Sequence, residues 1–385
     1  MTSKIKVLQV IPELGYGGAE TGCYDLAHYL SEKECKSFIV TSGGKLIKFI
    51  RKDKVKIIKL PVKSKNPLVI LMNAFILSLI ILIFNIDIVH ARSRAPAWSC
   101  FFACNITRRK FVTTFHGTYN FSNKFKKFYN SIMVKSNLVI AGSNFIFSHI
   151  SANYKSYLKP KNKLMVIFRG INLDYYNKKN ISEKNKNMIY TEWKVRQDKT
   201  LIILPGRLTY WKGQEIFIES LNILVEDYNR TNIQAVILGS DQGRNVYSKK
   251  LYSLVQRYQL NNKIKFINHC REMPTAYSLA DIIVSCSIEP EAFGRIAVEA
   301  QSMEKPIVAS DIGGSNETIL NKRSGFLFKS GDPRELAKVL NNVIDLDKEA
   351  LYSIGNEGRK NVTKKFDVDK MCQTTFTEYK KLLIK

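Results

Sequence analysis

Paired cysteine motifs and an uninterrupted hydrophobic leader are missing from this sequence, and acidic side chains are scarce in its first half. Seven cysteines occur, Cys23, Cys35, Cys100, Cys104, Cys270, Cys286 and Cys372, and no two stand in a Cys-x-x-Cys pair. Their odd number and scatter suggest neither a disulfide framework nor a zinc site. Free cysteines behave as small buried hydrophobes, and a reducing cytosol fits them. Lys4 and Lys6 interrupt the first apolar stretch where a signal peptide would need its hydrophobic region, so none is expected. No repeat of fixed period is visible, and no zinc-finger or RRM signature points to nucleic acid. The two Asp-x-Asp strings, Asp345–Asp347 and Asp367–Asp369, fall in a helical C-terminal region and not at a strand end. They are expected as caps or helix-surface residues, so no metal is expected.

The acid shortage is uneven. Residues 1–180 hold 8 acidic and 29 basic side chains, a net +21, whereas residues 181–385 hold 25 and 31, a net +6. Coding bias toward Lys, Asn, Ile and Phe raises lysine everywhere but does not remove Asp and Glu from one half. The first half is therefore expected to meet an anionic partner or surface. Hydrophobic residues make up 45% of the 385, enough for real cores, and at ~100–200 residues per domain the length suggests two domains. One apolar run, residues 68–84, reaches 17 residues, with Asn73 and Ser78 inside it. That is the lower limit for a membrane span. Its place between two strand-like runs favours a soluble-domain helix, with membrane insertion as the alternative.

Short Val/Ile-rich runs alternate with helical patterns along the chain. They fall at 5–11, 37–40, 55–60, 86–90, 110–115, 137–141 and 164–168, and again at 200–205, 233–239, 263–267, 281–286, 306–310 and 325–328. This is the pattern of βαβ units and parallel sheets. A polar Lys/Asn-rich stretch at 177–199 separates the two series and reads as a connection. The expected layout is a first Rossmann-like domain at 1–180, a linker at 181–199, a second Rossmann-like domain at 200–365 and a terminal helix at 366–385. Ligands of open parallel sheets sit beyond the carboxyl ends of the strands.

Three loops there carry candidate chemistry. Gly15-Tyr16-Gly17-Gly18-Ala19-Glu20 follows the first strand and precedes a helix pattern, where bare backbone favours close approach by an anion. Arg207 and Lys212 follow the strand at 200–205 and suit a diphosphate, Arg as a fork and Lys as a point charge. The segment 287–317 is the most informative. A helix is expected to begin near Phe293 and Gly294, so that the amides of Phe293, Gly294, Arg295 and Ile296 form an anion seat. Glu291 and Glu299 stand eight residues apart, roughly 12 Å on a helix. Retaining glycosidases hold their carboxyls ~5–5.5 Å apart, so these two should grip separate parts of one elongated ligand.

Taken in order, Gly17-Gly18-Ala19-Glu20, Thr114-Phe115-His116-Gly117, G-R-x4-K-G at 206–213, E-x7-E at 291–299 and G-G-x-x-E at 313–317 resemble the motif set of family 4 glycosyltransferases. The resemblance spans nearly the whole chain and implies the α/β GT-B architecture, two Rossmann-like domains facing across a cleft. It implies retaining transfer from a nucleotide-diphosphate sugar, such as a UDP- or GDP-sugar, without a bound metal or cofactor. It places Glu299 on the ribose and Glu291 on the donor sugar. Arg207, Lys212 and the amides of 293–296 would hold the diphosphate. Gly17 and Gly18 would close the site, and His116 would face the reacting sugar. Two departures stand out. Met303-Glu304-Lys305 replaces small residues and a Gly before a strand, and Arg169-Gly170-Ile171-Asn172 replaces an Asn-Gly-x-Asp turn.

The basic first half also offers a surface. Phe121, Phe125, Phe128 and Ile132 share helical spacing, with Lys124 and Lys127 off that face, as on an amphipathic helix that lies on an anionic membrane. The alternative is a core-facing helix with solvated lysines. The expected protein is a cytoplasmic glycosyltransferase, peripheral on the inner face of the membrane. It would build a cell-envelope glycan of the lipopolysaccharide kind or extend a lipid-linked acceptor. The rivals are an enzyme with a soluble phosphosugar acceptor and a non-catalytic membrane-binding relative.

Overall fold

The computed structural model describes residues 4–33, 35–243 and 245–384. The chain divides into two compact units, one formed by 1–170 and 368–385 and the other by 171–367.

The first unit begins β1 (Ile5–Ile11), α1 (Gly18–Glu32), β2 (Cys35–Thr41), β3 (Val55–Lys59), α2 (Pro67–Phe84), β4 (Ile88–Ala91) and α3 (Arg94–Thr107). It continues β5 (Lys110–Phe115), α4 (Lys124–Ser131), β6 (Leu138–Ala141), α5 (Asn144–Tyr154) and β7 (Lys163–Val166). Its seven strands are all parallel, in the order β3-β2-β1-β4-β5-β6-β7.

The second unit opens with α6 (Glu183–Trp193), β8 (Thr200–Pro205), α7 (Gln214–Glu226), β9 (Ile233–Leu238), α8 (Asn245–Arg257), β10 (Ile264–Ile267) and α9 (Met273–Leu279). There follow β11 (Ile282–Ser285), α10 (Arg295–Ser302), β12 (Ile307–Ser310), α11 (Ser315–Thr318), β13 (Phe326–Phe328), α12 (Pro333–Ile344) and α13 (Lys348–Lys365). The order of its parallel sheet is β10-β9-β8-β11-β12-β13.

Each sheet therefore reverses direction once, between β1 and β4 in one and between β8 and β11 in the other. Ligands of such sheets bind beyond the carboxyl ends of the strands that flank the reversal. All thirteen apolar runs of the sequence became strands. Both faces of a wound parallel sheet are covered, which demands continuous apolar strands such as the wholly buried Leu138–Ala141.

The boundaries differ from the sequence expectation. The stretch at 181–199 is not a bare connection but contains α6, capped by Ser182 Oγ accepting from the Asn185 amide at 3.2 Å. Only Ile189 and Trp193 of this helix are buried, too few to show as a pattern among its lysines and asparagines. The first unit ends at Gly170, and α14 (Val368–Ile384) rejoins it. Cys372, Phe376 and Tyr379 pack there with Val7, Leu26, Ile88 and Val112, a return that no local pattern announces. The expected amphipathic helix at 121–132 is also shorter. Phe121 lies before α4 with its ring edge-on to Tyr154, and Ile132 is core. Phe125 and Phe128 are exposed, so the expected face is split. The first Asp-x-Asp string is structural: Asp345 closes α12 and Asp347 caps α13, accepting from the Ala350 amide at 2.7 Å. All seven cysteines are free thiols, and all but Cys270 are buried.

Candidate functional site

In the second unit the loops leaving β8 and β11 are tied together, the Ile288 amide donating to the Trp211 carbonyl at 2.9 Å. The first loop turns through Gly206 and Gly213, which starts α7 with φ +69°. A Cβ at Gly213 would sit 1.9 Å from the Cys286 carbonyl oxygen, so only glycine brings the loops this close. Lys212, on the single turn Tyr210–Lys212, is thereby carried to Glu291. Its Nζ stands 2.6 Å from Glu291 Oε1, and Ser287 Oγ donates to the same oxygen at 2.5 Å. Burial alone would raise the Glu291 carboxyl. The Lys212 ammonium, the Ser287 hydroxyl and the nearby Arg207 charge outweigh it and hold the carboxyl below its ordinary value. Arg207 itself is exposed.

The helix α10 starts slightly later than the sequence suggests. Gly294 is its N-cap, left-handed at φ 77°, and the first helical residue is Arg295. Phe293 precedes the cap with a buried ring edge-on to Phe366 at 5.5 Å. The Gly313-Gly314 pair allows this turn to form. The Gly314 amide donates to the Glu291 carbonyl at 2.7 Å, and a Cβ at Gly314 would lie 2.5 Å from Phe293 Cα. The Gly294 carbonyl already accepts from Ala297 at 3.1 Å, while the amides that precede Ala297 form the donor-rich helix start.

Glu299, buried on α10, is held from three sides. Arg295 Nε donates to Oε1 at 2.6 Å, Tyr176 donates its hydroxyl to Oε1 at 2.8 Å, and Tyr277 donates to Oε2 at 2.7 Å. Burial and the neighbouring carboxylate push both tyrosine hydroxyls well above their ordinary value, so they remain donors. Tyr176 and Tyr277 were missed from sequence, because a tyrosine 123 residues away carries no local mark of its partner. The replaced Gly before β12 has a counterpart too. Glu304 takes φ +57°, a region that favours glycine, and its carboxylate pairs with Lys178.

In the first unit the corresponding loops leave β1 and β4. Gly17 caps α1 without a side chain, and Gly18 is its first residue. Arg169 reaches across Gly142, with its guanidinium on the Gly18 carbonyl and 3.3 Å from His116 Nδ1. His116 follows β5. Burial, then Arg169, Arg92 and His90, hold its imidazole well below the ordinary value, so it is neutral. Facing a guanidinium donor, Nδ1 must accept, which assigns the hydrogen to Nε2. That Nε2 is buried and has no partner.

Beside His116 a small cavity of about 20 Å³ is lined by Gly22, His90, Arg92, Thr114 and Arg169. Arg92 is buried and donates from Nε to Gln9 Oε1 at 2.8 Å. Among the described residues no carboxylate pairs with it. His90 bridges Tyr379 Oη at 2.6 Å and Thr114 Oγ1 at 2.7 Å, and burial then Arg92 keep it neutral as well. Arg92 and His90 were not singled out for this site from sequence, although the replaced Asn at Arg169 was the available signal.

The family description Glycosyl transferases group 1 matches residues 186–361, and Glycosyltransferase Family 4 matches residues 16–175. A crystal structure of a glycosyltransferase from Rickettsia africae is 37% identical, superposes with a TM-score of 0.90 and covers 99% of each chain. The chain belongs to the group 1, family 4 glycosyltransferases. An uncharacterized glycosyltransferase of Methanocaldococcus jannaschii is 30% identical over 57% of this chain, and the matched part spans about half of that relative, 55%. Anabaena HepE, solved in complex with UDP and glucose, is 21% identical with a TM-score of 0.82, covering 98% of this chain and 100% of that one. At that identity the likeness shows the fold, which is GT-B with two Rossmann-like units. In glycosyltransferase terms the E-x7-E motif is the Glu291 and Glu299 pair, each already bound to a cation in this chain.

Proposed function

We propose that this glycosyltransferase moves a sugar, with retention, from a nucleotide-diphosphate sugar to a cell-envelope glycan or a lipid-linked acceptor in the cytoplasm. The reading rests on the cluster of Lys212, Glu291, Ser287 and Arg207 beside the start of α10. In it Arg207, Lys212 and the amides of Phe293, Gly294, Arg295 and Ile296 take the diphosphate. Glu299, fixed by two tyrosines and Arg295, takes the ribose hydroxyls, and Glu291 takes hydroxyls of the donor sugar. Gly17 and Gly18 leave bare backbone for the donor, and the Nε2 hydrogen of neutral His116 meets the reacting sugar. The bond from the anomeric carbon to the β-phosphate oxygen breaks. An acceptor hydroxyl oxygen bonds to that carbon and gives its proton to the departing β-phosphate oxygen. Fixed cations and helix amides stabilise the diphosphate as it leaves, so no metal or cofactor is called for. A UDP- or GDP-sugar fits, and HepE supports UDP as the first donor to try.

A second reading follows from Arg92 and Arg169: a soluble acceptor that carries a phosphate, bound beside His116. The test is calorimetry and product analysis with a panel of UDP- and GDP-sugars, each with membrane extract or soluble sugar phosphates as acceptor, in excess chelator. Transfer with retained anomeric configuration and no metal requirement supports the proposal. Binding of no donor in the panel overturns it, and transfer only to sugar phosphates selects the second reading.

A further inference from the structure

The helix α2 has no charged residue in its 18, yet only part of it is buried. Its inner side, Ile70, Ala74, Leu77, Ile80 and Ile81, belongs to the core, and Ser99 of α3 donates its hydroxyl to the Ile70 carbonyl at 3.0 Å. The polar residues also face inward: Asn73 donates to the Pro61 carbonyl at 3.2 Å, and Ser78 to Ala74 at 2.8 Å. On the other side Leu68 is 76% exposed, Phe75 64% and Ile83 74%, and Leu71, Met72, Leu79 and Leu82 are exposed with them. These seven recur at intervals of three and four, with two adjacent pairs, which places them on one helix face. From Leu68 to Ile83 the stripe runs roughly 22 Å at ~1.5 Å per residue. A contiguous apolar face of this size on a soluble surface marks a docking site.

Charge identifies the occupant. The unit that carries α2 holds 31 basic and 9 acidic side chains, a net +22. The stripe is fringed by cations at both ends. Lys63 and Lys65 precede it, Lys56 Nζ sits 4.1 Å from the centre of the Phe84 ring, and Arg109 donates to Asn85 just past the helix at 2.6 Å. Pairing this face with a second copy would set two such units against each other. An anionic bilayer satisfies both the apolar stripe and the cations around it. The buried inner side, with its hydrogen bonds into the fold, keeps α2 in the plane of the interface and forbids a span. We propose that α2 is a membrane-docking helix, its exposed stripe immersed in the headgroup and acyl boundary of an anionic phospholipid surface.

The experiment is sedimentation of the full chain with phosphatidylglycerol-containing vesicles and with pure phosphatidylcholine vesicles. The wild type should bind the anionic vesicles, retain part of that binding in high salt and come off in alkaline wash. Leu71→Gln, Phe75→Gln and Leu79→Gln together should weaken binding by roughly tenfold or more, since apolar burial drives insertion, with far-UV circular dichroism and melting unchanged. Lys56→Glu with Lys65→Glu should remove the preference for anionic lipid and leave folding intact. Failure of the wild type to bind anionic vesicles, or a triple variant that binds like the wild type, overturns the proposal. Resistance to alkaline wash overturns the in-plane placement. A wild-type dimer that the triple variant converts to monomer assigns the face to a second copy. None of these readings depends on a sugar donor, so they stand or fall apart from the proposed transfer.

Discussion

At the strand reversal of the second unit, Glu291 and Glu299 each meet a cation, Lys212 in one case and Arg295 in the other. At the reversal of the first unit stand Arg92, Arg169, His90 and His116, both histidines neutral, and no carboxylate pairs with Arg92 among the described residues. The net charges follow, +22 for the first unit and +5 for the second. The same winding therefore supports two electrostatic designs. One is internally balanced and fixes its two carboxylates in place. The other keeps a positive field and excludes protons from its imidazoles.

The balanced half is broken most severely at Glu299. Glu299→Ala removes the acceptor of one arginine and two buried tyrosines and should cost about 3 kcal/mol of stability, as when one partner of a buried pair is deleted. Glu299→Gln should keep more of the fold and still weaken nucleotide binding. Denaturant titration beside calorimetry separates the two losses, and full stability in Glu299→Ala would show that the three donors have other partners.

Arg207 gives the next effect. It is exposed, so Arg207→Ala should leave melting almost unchanged while weakening a nucleoside diphosphate by about 1.5–3 kcal/mol, the range for a charged hydrogen bond. A nucleoside without phosphates should respond far less. Equal losses for both ligands would move Arg207 off the diphosphate.

The contrast between the units sharpens with pH. His90 and His116 sit well below their ordinary value when folded. Unfolded, they take protons below about pH 6.5. Stability of the first unit should then fall as pH drops from about 6.5, because only the unfolded chain binds those protons. Glu291 has a lowered value. Its contribution is complete above about pH 4.3 and is lost only as pH falls through the lowered value. Hydrogen exchange read by mass spectrometry at about pH 7 and about pH 5.5 should show protection lost first in strands β1, β4 and β5. Equal loss in β8 and β11 would contradict the separation.

The smallest effect belongs to Glu304. A non-glycine residue in left-handed conformation is strained by roughly 1 kcal/mol, and its ion pair with half-exposed Lys178 recovers less than that. Glu304→Gly should be neutral or stabilise slightly in thermal melts. A clear destabilisation would show that the pair with Lys178 matters more than the backbone.

Much of the fold is legible in the sequence. Strands such as Leu138–Ala141 read as continuous apolar runs because helices cover both faces of a parallel sheet. The glycines at 206, 213, 313 and 314 were legible as motif positions, and their reason is close backbone approach. The amphipathic reading of 121–132 failed because spacing alone cannot tell a face turned to solvent from one divided between core and surface. Helix α6 was hidden because two buried residues do not make a periodic pattern.

The sequence by itself determined the alternation of strands and helices, the unequal charge of the two halves and the order of the motifs, since each is a local property of residue type and spacing. Only the tertiary structure decided that α14 completes the first unit and that Tyr176 and Tyr277 fix Glu299. It also set Arg92 and Arg169 beside His116 and left one face of α2 uncovered. These depend on contacts between residues distant in the chain, and the free energy of such contacts has no trace in any single segment.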